Sequence, residues 1–397
     1  MSHGQRTETA SEPQSPLADA FPPPRSWSNQ EHGWPAPRHR FAFVVATLNG
    51  AGAIGATITA CSRQADTFVV SDGSTDSTAE VARRHGATAV VELPTNVGKP
   101  AAIHSAVEQL RLLDLYELIC IVDDDTIIDT NFVEATSAAF RPGVSVVCAK
   151  TVSDWGHAQR WNPIVANRAF AYWKYQSFIR RGQSALGVMN CISGSNSVYR
   201  ASFLKEVLRS DTPYVVDDTY WVLEAQRRNL GRIVYCPETS AKIQEPTTVR
   251  AWYKQNLRWL WGTFQGVIGH KVGRKATKFD VAYLGMMLDW LLYTFVTPVF
   301  LAYIVVTNTD RLGHVAVMYG IGYTAWAVIG AIALRRWRLV VLWPALALLD
   351  WVARVNFIHA AIKAVRQPTS ECRWESPARY TTTPSVLRAA IQTKESS

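Results

Sequence analysis

From Phe41 onward, short runs of β-branched and aromatic residues alternate with stretches whose apolar positions recur every three to four residues. Phe41–Ala46, Thr67–Ser71, Thr88–Glu92, Leu118–Val122 and Val144–Lys150 read as strands buried on both faces. Between them Ala51–Arg63, Asp76–His85, Lys99–Leu113 and Asn131–Phe140 read as helices. Strand–helix alternation at this spacing predicts an α/β fold with a mostly parallel, doubly wound sheet and flanking helices. Ligands of such sheets bind at the carboxyl ends of the strands. The loops leaving those ends carry Asn49, Asp72, Asn96 and Asp123–Asp125.

The two ends of the chain have other patterns. Residues 1–39 are rich in Pro, Ser and Gln and hold no apolar stretch, which predicts a disordered leader. From residue 281 the sequence becomes membrane-like. Trp290–Val306, extended on the near side by Val281–Leu288, and Val315–Leu334 each approach the ~20 apolar residues that span a bilayer. A third run, Leu339–Leu349, is cut short by Asp350, Arg354 and His359. A charge at the centre of a span costs roughly 2.5–3.5 kcal/mol. Arg335, Arg336 and Arg338 belong on the cytosolic side, and the basic tail does too. The expected division is therefore a leader (1–39), a cytosolic domain (40–248), an interfacial amphipathic segment (249–280), a membrane region (281–362) and a cytosolic tail (363–397). In the membrane region two spans and one interfacial helix are favoured over three spans.

The net charge of +9 alters this picture only by where it falls. Basic residues gather at 250–278, 335–338 and beyond 363, beside the apolar segments, which points to an anionic bilayer surface and not to nucleic acid. Six scattered cysteines without a C-x-x-C pair read as reduced, mostly buried thiols, in keeping with a cytosolic head.

Five short segments carry chemistry. Ser71–Asp76 follows a strand and opens a helix; it reads as a capped strand–turn–helix junction or as a place where Asp72 meets a nucleoside. Asn96-Val97-Gly98-Lys99 puts a lysine at a helix N-terminus, which opposes the helix dipole unless an anion such as a diphosphate binds there. Asp123, Asp124 and Asp125 directly follow an apolar strand, and such carboxylates repel one another without a cation; their hard oxygens suit Mg²⁺ or Mn²⁺. Asp217 and Asp218 raise one another's pKa, which suits one of them to general-base work and both to capping the helix that follows. Gln255-Asn256-Leu257-Arg258-Trp259 lies in a basic, tryptophan-rich segment whose pattern is that of an interfacial helix.

Taken in order, these segments resemble glycosyltransferase family 2, and within it the membrane-integrated hyaluronan, chitin and cellulose synthases. The resemblance runs from Phe41 to Trp261 and into the membrane region. It implies a GT-A-type fold with C-terminal interfacial and transmembrane helices, and single-step inverting transfer from a UDP-sugar. It assigns Thr47, Asn49, Asp72, Lys99, Asp123, Asp124, Gln255 and Arg258 to the nucleotide-sugar. Asp125 and Asp123 fall to the metal, and Asp218, beside Asp217, is the general base. Ser193–Arg200 resembles an acceptor-binding segment, so Gly194, Ser195 and Arg200 join Trp259 on the acceptor. Trp374–Arg379 resembles a gating segment. At the first strand Ala46-Thr47-Leu48-Asn49-Gly50 keeps the Asn of the family's P-x-x-N-E-like turn and lacks its Pro and Glu.

The expected partners are a UDP-sugar donor, a growing polysaccharide and the bilayer of a cell (inner or plasma) membrane, with homo-oligomerisation left open. Two other readings compete. One is a transferase placing a single sugar on a lipid or protein. The other, of a different class, is a membrane transporter with a nucleotide-binding head.

Overall fold

A computed structural model of the chain describes residues 39–370. Residues 1–38 of the leader, the tail from 371 on and the Trp374–Arg379 segment lie outside the described residues.

Among the described residues eight strands form one mixed sheet: β1 (Phe41–Thr47), β2 (Asp66–Asp72), β3 (Ala89–Leu93), β4 (Leu118–Asp123), β5 (Ile127–Ile128), β6 (Val144–Ser153), β7 (Ser197–Arg200) and β8 (Arg232–Ile243). Their spatial order is β3-β2-β1-β4-β7-β6-β8-β5. The half built from β3, β2, β1 and β4 is all parallel. β7 is inserted antiparallel between β4 and β6, β8 runs parallel to β6, and β5 pairs antiparallel with β8. The sequence pattern misses β5, β7 and β8. β5 and β7 are too short to show a period, and the polar positions along β8 mask its alternation.

β1 and β2 are buried along their whole length because helices cover both faces of the sheet. Side chains of β1 alternate between two cores: Ala42, Val44 and Ala46 enter one, and Phe41, Phe43 and Val45 the other. The covering helices are α1 (Ile54–Ser62), α2 (Thr78–Arg84), α3 (Lys99–Gln109), α4 (Leu112–Leu115) and α5 (Phe132–Ala139). The expected Lys99–Leu113 helix is thus broken at Leu110–Arg111, where Arg111 takes a left-handed conformation. Next come α6 (Pro163–Lys174), a π-helical stretch (Tyr175–Arg180), α7 (Arg181–Leu186), α8 (Ala201–Val207) and α9 (Asp217–Arg228).

Four long helices follow among the described residues: α10 (Val249–Gly269), α11 (Lys278–Thr307), α12 (Leu312–Leu334) and α13 (Arg338–Arg366). The last three are long and apolar enough to cross a membrane. The third apolar run therefore sits in one continuous helix, and its charges face neighbouring helices. Arg354 is buried between the rings of Tyr293 and Trp351, and Asp350 accepts from the Tyr323 hydroxyl. The C-terminal half of α13 runs beside α10. Trp252 packs with Leu349 and Phe264 with Phe357; the Asn356 amide donates to the Tyr253 carbonyl at 2.8 Å, and Trp261 Nε1 donates to the Gln367 carbonyl at 3.2 Å.

Candidate active site

The carboxyl ends of β1, β2 and β4 converge with the N-termini of α3 and α9. Gly50 must be glycine at the first of these ends, because a Cβ there would stand 2.5 Å from Asp124 Oδ2. Asp124 points inward: it is fully buried, accepts from Thr47 Oγ1 at 2.6 Å, and its carbonyl accepts from Thr57 Oγ1 at 2.9 Å. Thr47 and Asp124 therefore hold β1 against the turn after β4. Asn49 has a left-handed φ of 53°, and its side-chain oxygen accepts from the Thr75 amide at 2.9 Å, tying the β1 turn to the loop after β2.

Asp72 is also buried, and burial raises its pKa. Its two oxygens accept from the amides of Val97 and Gly98 at 2.8 and 2.9 Å. The carboxylate thereby shapes the loop that delivers Lys99. Gly73 permits this approach: at φ 69° a Cβ there would lie 2.5 Å from the Asn96 nitrogen.

Lys99 is the electrostatic centre. Its Nζ donates to Asp123 Oδ1 at 2.5 Å and lies 3.5 Å from the Gly194 carbonyl oxygen. Burial acts to lower the lysine pKa, but the carboxylates of Asp123, Asp217 and Asp218 outweigh it and hold the ammonium charged. Asp218 is pushed up to about 7, first by burial and then by Asp217, against the charges of Lys99 and Arg258. Gly194 lets the segment before β7 approach this carboxylate, since a Cβ would stand 2.9 Å from Asp218 Oδ2. Ser195 is buried beside it, its hydroxyl 3.0 Å from that of Ser193.

Asp125 is pushed up to about 8 by burial and by the charges of Asp123 and Glu245. Among the described residues no three His, Cys, Asp or Glu side chains form a ready-made cage. Mg²⁺ or Mn²⁺ needs no such cage, because one or two carboxylates suffice when phosphate oxygens and water fill the remaining positions. Asp123 and Asp125, crowded at a strand end, are the carboxylates that would hold such an ion.

The structure thus brings Asp123, Asp125, Lys99, Gly194, Asp217, Asp218 and Arg258 into one electrostatic neighbourhood. Gln255 and Trp259 lie on α10 against α6, in contact with Arg168. Arg200 is not brought there. It pairs with Leu118, at the opposite end of β4 from Asp123 and so roughly 16 Å away along the strand. Its guanidinium donates to the Val144 carbonyl at 2.7 Å and lies over Phe140. The expected acceptor role does not fit that placement; the arginine closes the far end of the sheet. Sequence reasoning missed Thr57, Arg168 and Glu245. No local pattern marks them, because each meets the site only through residues far off in the chain.

A family model described as glycosyltransferase like family 2 matches residues 37–262. The poly-beta-1,6-N-acetyl-D-glucosamine synthase of Staphylococcus epidermidis is 27% identical over 220 residues, covering 52% of this chain and 47% of that protein. Its counterpart from Staphylococcus aureus (strain COL) is 26% identical over 218 residues, with the same coverage of 52% and 47%. The match spans about half the length of these curated relatives. Among solved structures, the mannosyltransferase PcManGT from Pyrobaculum calidifontis, in complex with GDP-Man and Mn²⁺, superposes with a TM-score of 0.52 at 18% identity. That superposition covers 83% of this chain and 87% of the other, and it speaks to the fold.

Proposed function

The chain belongs to glycosyltransferase-like family 2, and from that premise we propose that it is a membrane-bound, inverting glycosyltransferase. It transfers a sugar from a UDP-sugar to a growing polysaccharide at the cytosolic membrane face. The observation that carries this reading is the meeting of Lys99, Asp123, Gly194 and Asp218 at the carboxyl end of the sheet. A cation, a candidate metal ligand and a carboxylate with a raised pKa standing together support it.

Asp218 accepts the proton of the acceptor hydroxyl as that oxygen attacks the anomeric carbon from the side opposite the leaving UDP. A base works best when its pKa lies near the working pH, and burial beside Asp217 brings Asp218 to about 7. Lys99 and Arg258 face the negative charge that grows on the diphosphate, and removing one such preorganised donor typically costs ~3 kcal/mol of barrier. Asp125 and Asp123 would hold Mg²⁺ or Mn²⁺, which when bound supplies further positive charge to the same diphosphate. Gly194 and Ser195 border the acceptor beside Asp218, and Trp259 offers it a flat ring.

The bilayer reading follows from α10 to α13. α11 and α12 cross the membrane. α10 lies in its surface, and the C-terminal half of α13, which runs along α10, lies there with it. This arrangement returns the basic tail to the cytosol.

A screen of purified full-length protein in detergent tests the reading. Release of UDP that needs both Mn²⁺ and one particular UDP-sugar is expected, and silence with every UDP-sugar would reject it. Product length then separates polymer synthesis from single transfer onto a lipid or protein.

A further inference from the structure

We propose that Arg168, which lies outside every motif above, is a positioning residue that fixes the rotation of α10 and so sets where Arg258 and Trp259 stand in the site. This rests on the transferase reading and adds a residue to it.

Arg168 projects from α6 and is only 5% exposed. Its Nη2 donates to Gln255 Oε1 at 2.7 Å. Its guanidinium carbon lies 4.5 Å from the centroid of the Trp259 ring and 6.0 Å from that of Trp252. Its Nε stands 3.7 Å from Glu245 Oε2. Glu245, just beyond β8, is buried too and accepts from Ser153 Oγ, at the end of β6, at 2.8 Å. One cation therefore joins α10 to the ends of β6 and β8.

The contacts suit a guanidinium and no other side chain. Its planar fork donates in the plane while its face stacks on an indole; an ammonium offers neither at once. Gln255 and Trp259 are four residues apart and share one face of α10. Consecutive helical residues are about 100° apart around the axis, so clamping that face also fixes the neighbouring Arg258, whose charge acts on Asp218. An ion pair serving stability alone would need Glu245 and would explain neither Gln255 nor Trp259.

The other side of α6 faces the membrane helices. Phe170 packs so closely on α12 that a Cβ at Gly330 would stand 2.5 Å from its ring, and Ala166 shares a core with Leu339 and Leu346. Arg168 thus stands between the bilayer-embedded helices and the reacting groups.

The test uses full-length protein and the UDP-sugar that wild type turns over. R168K keeps the charge and loses the fork. It should lower kcat about 10- to 100-fold, the scale of a small misplacement in an active site, while donor KM and UDP affinity stay within about twofold. Breaking a buried pair by removing one partner destabilises a protein, so R168M/E245Q, which removes both charges, should show the same loss with its thermal transition retained. Combining R168K with Q255A should cost no more than the larger single loss, because both act through one contact. Wild-type kcat in R168K or in folded R168M/E245Q would overturn the proposal, as would a multiplicative loss in R168K/Q255A. Wild-type protein that transfers from no UDP-sugar would instead sink the transferase reading and this inference with it.

Discussion

The two walls of the candidate site are built in different ways. The wall formed by Asp72, Lys99, Asp123 and Asp125 stands on parallel strands, and backbone hydrogen bonds set its geometry. Asp72 shapes its loop through two main-chain amides, and β1, β2 and β4 are held in register along their length. The wall formed by Asp218, Arg258 and Trp259 stands on α9 and α10. Side-chain packing sets it: Gly262 and Gly266 bring α10 against Val216, Thr219 and Leu223, Arg168 clamps Gln255, and α13 lines the far side. A sheet edge is rigid whatever lies beyond it, whereas a helix packed on membrane helices inherits their position. Donor binding is therefore expected to be robust and acceptor geometry sensitive to the bilayer-facing half.

The largest expected effect lies where the walls meet. Asp218→Asn should cut transfer by about 10³-fold, within the range for a lost general base, while UDP affinity measured by calorimetry stays near wild type. Near-normal turnover would remove the base from Asp218. On the donor wall Lys99→Met should lower kcat by about 10²-fold and weaken UDP binding as well, a joint effect that Asp218→Asn should not share.

The pH profile sharpens the contrast. As the proposed base Asp218 must be a carboxylate, and burial raises it to about 7, so kcat/KM should rise with pH through an apparent pKa near 7 and be lost on the acid side. Asp217 contributes to that rise, so Asp217→Asn should move the limb to lower pH. An unmoved limb would mean that the two carboxylates do not interact.

Smaller effects belong to the helical wall. Gly262→Ala puts a Cβ 2.7 Å from Val216, the residue before Asp217. Overpacking of this kind typically costs 1–3 kcal/mol, and kcat should fall several-fold with donor KM unchanged. Last, a reporter fused after residue 370 should read as cytosolic with activity intact. An external reading would mean that α13 crosses the bilayer and that α10 does not fix its depth.

The resemblance stated from sequence and the matched family agree, and the physical reason lies in the donor wall. Strands buried on both faces leave continuous apolar runs, and their loops leave acids and glycines at regular intervals, so β1 to β4 and their site residues were legible one segment at a time. β5, β7 and β8 were not, because their strand character comes from neighbours and not from any period of their own. Arg200 shows the same limit: its place in a motif-like segment suggested the acceptor, and the register of β7 against β4 carries it to the other end of the sheet.

The sequence by itself determined the α/β core, the acidic strand end after β4, the apolar C-terminal third and the order of the site motifs, because each is written in local periodicity or in adjacent residues. Only the tertiary structure decided that Asp124 and Thr47 brace each other, that Asp72 holds the Lys99 loop, and that Arg168 and Glu245 meet Gln255 and Trp259. These contacts join residues roughly 25 to 90 positions apart. They depend on strand register and helix rotation, which no local pattern of polar and apolar residues encodes.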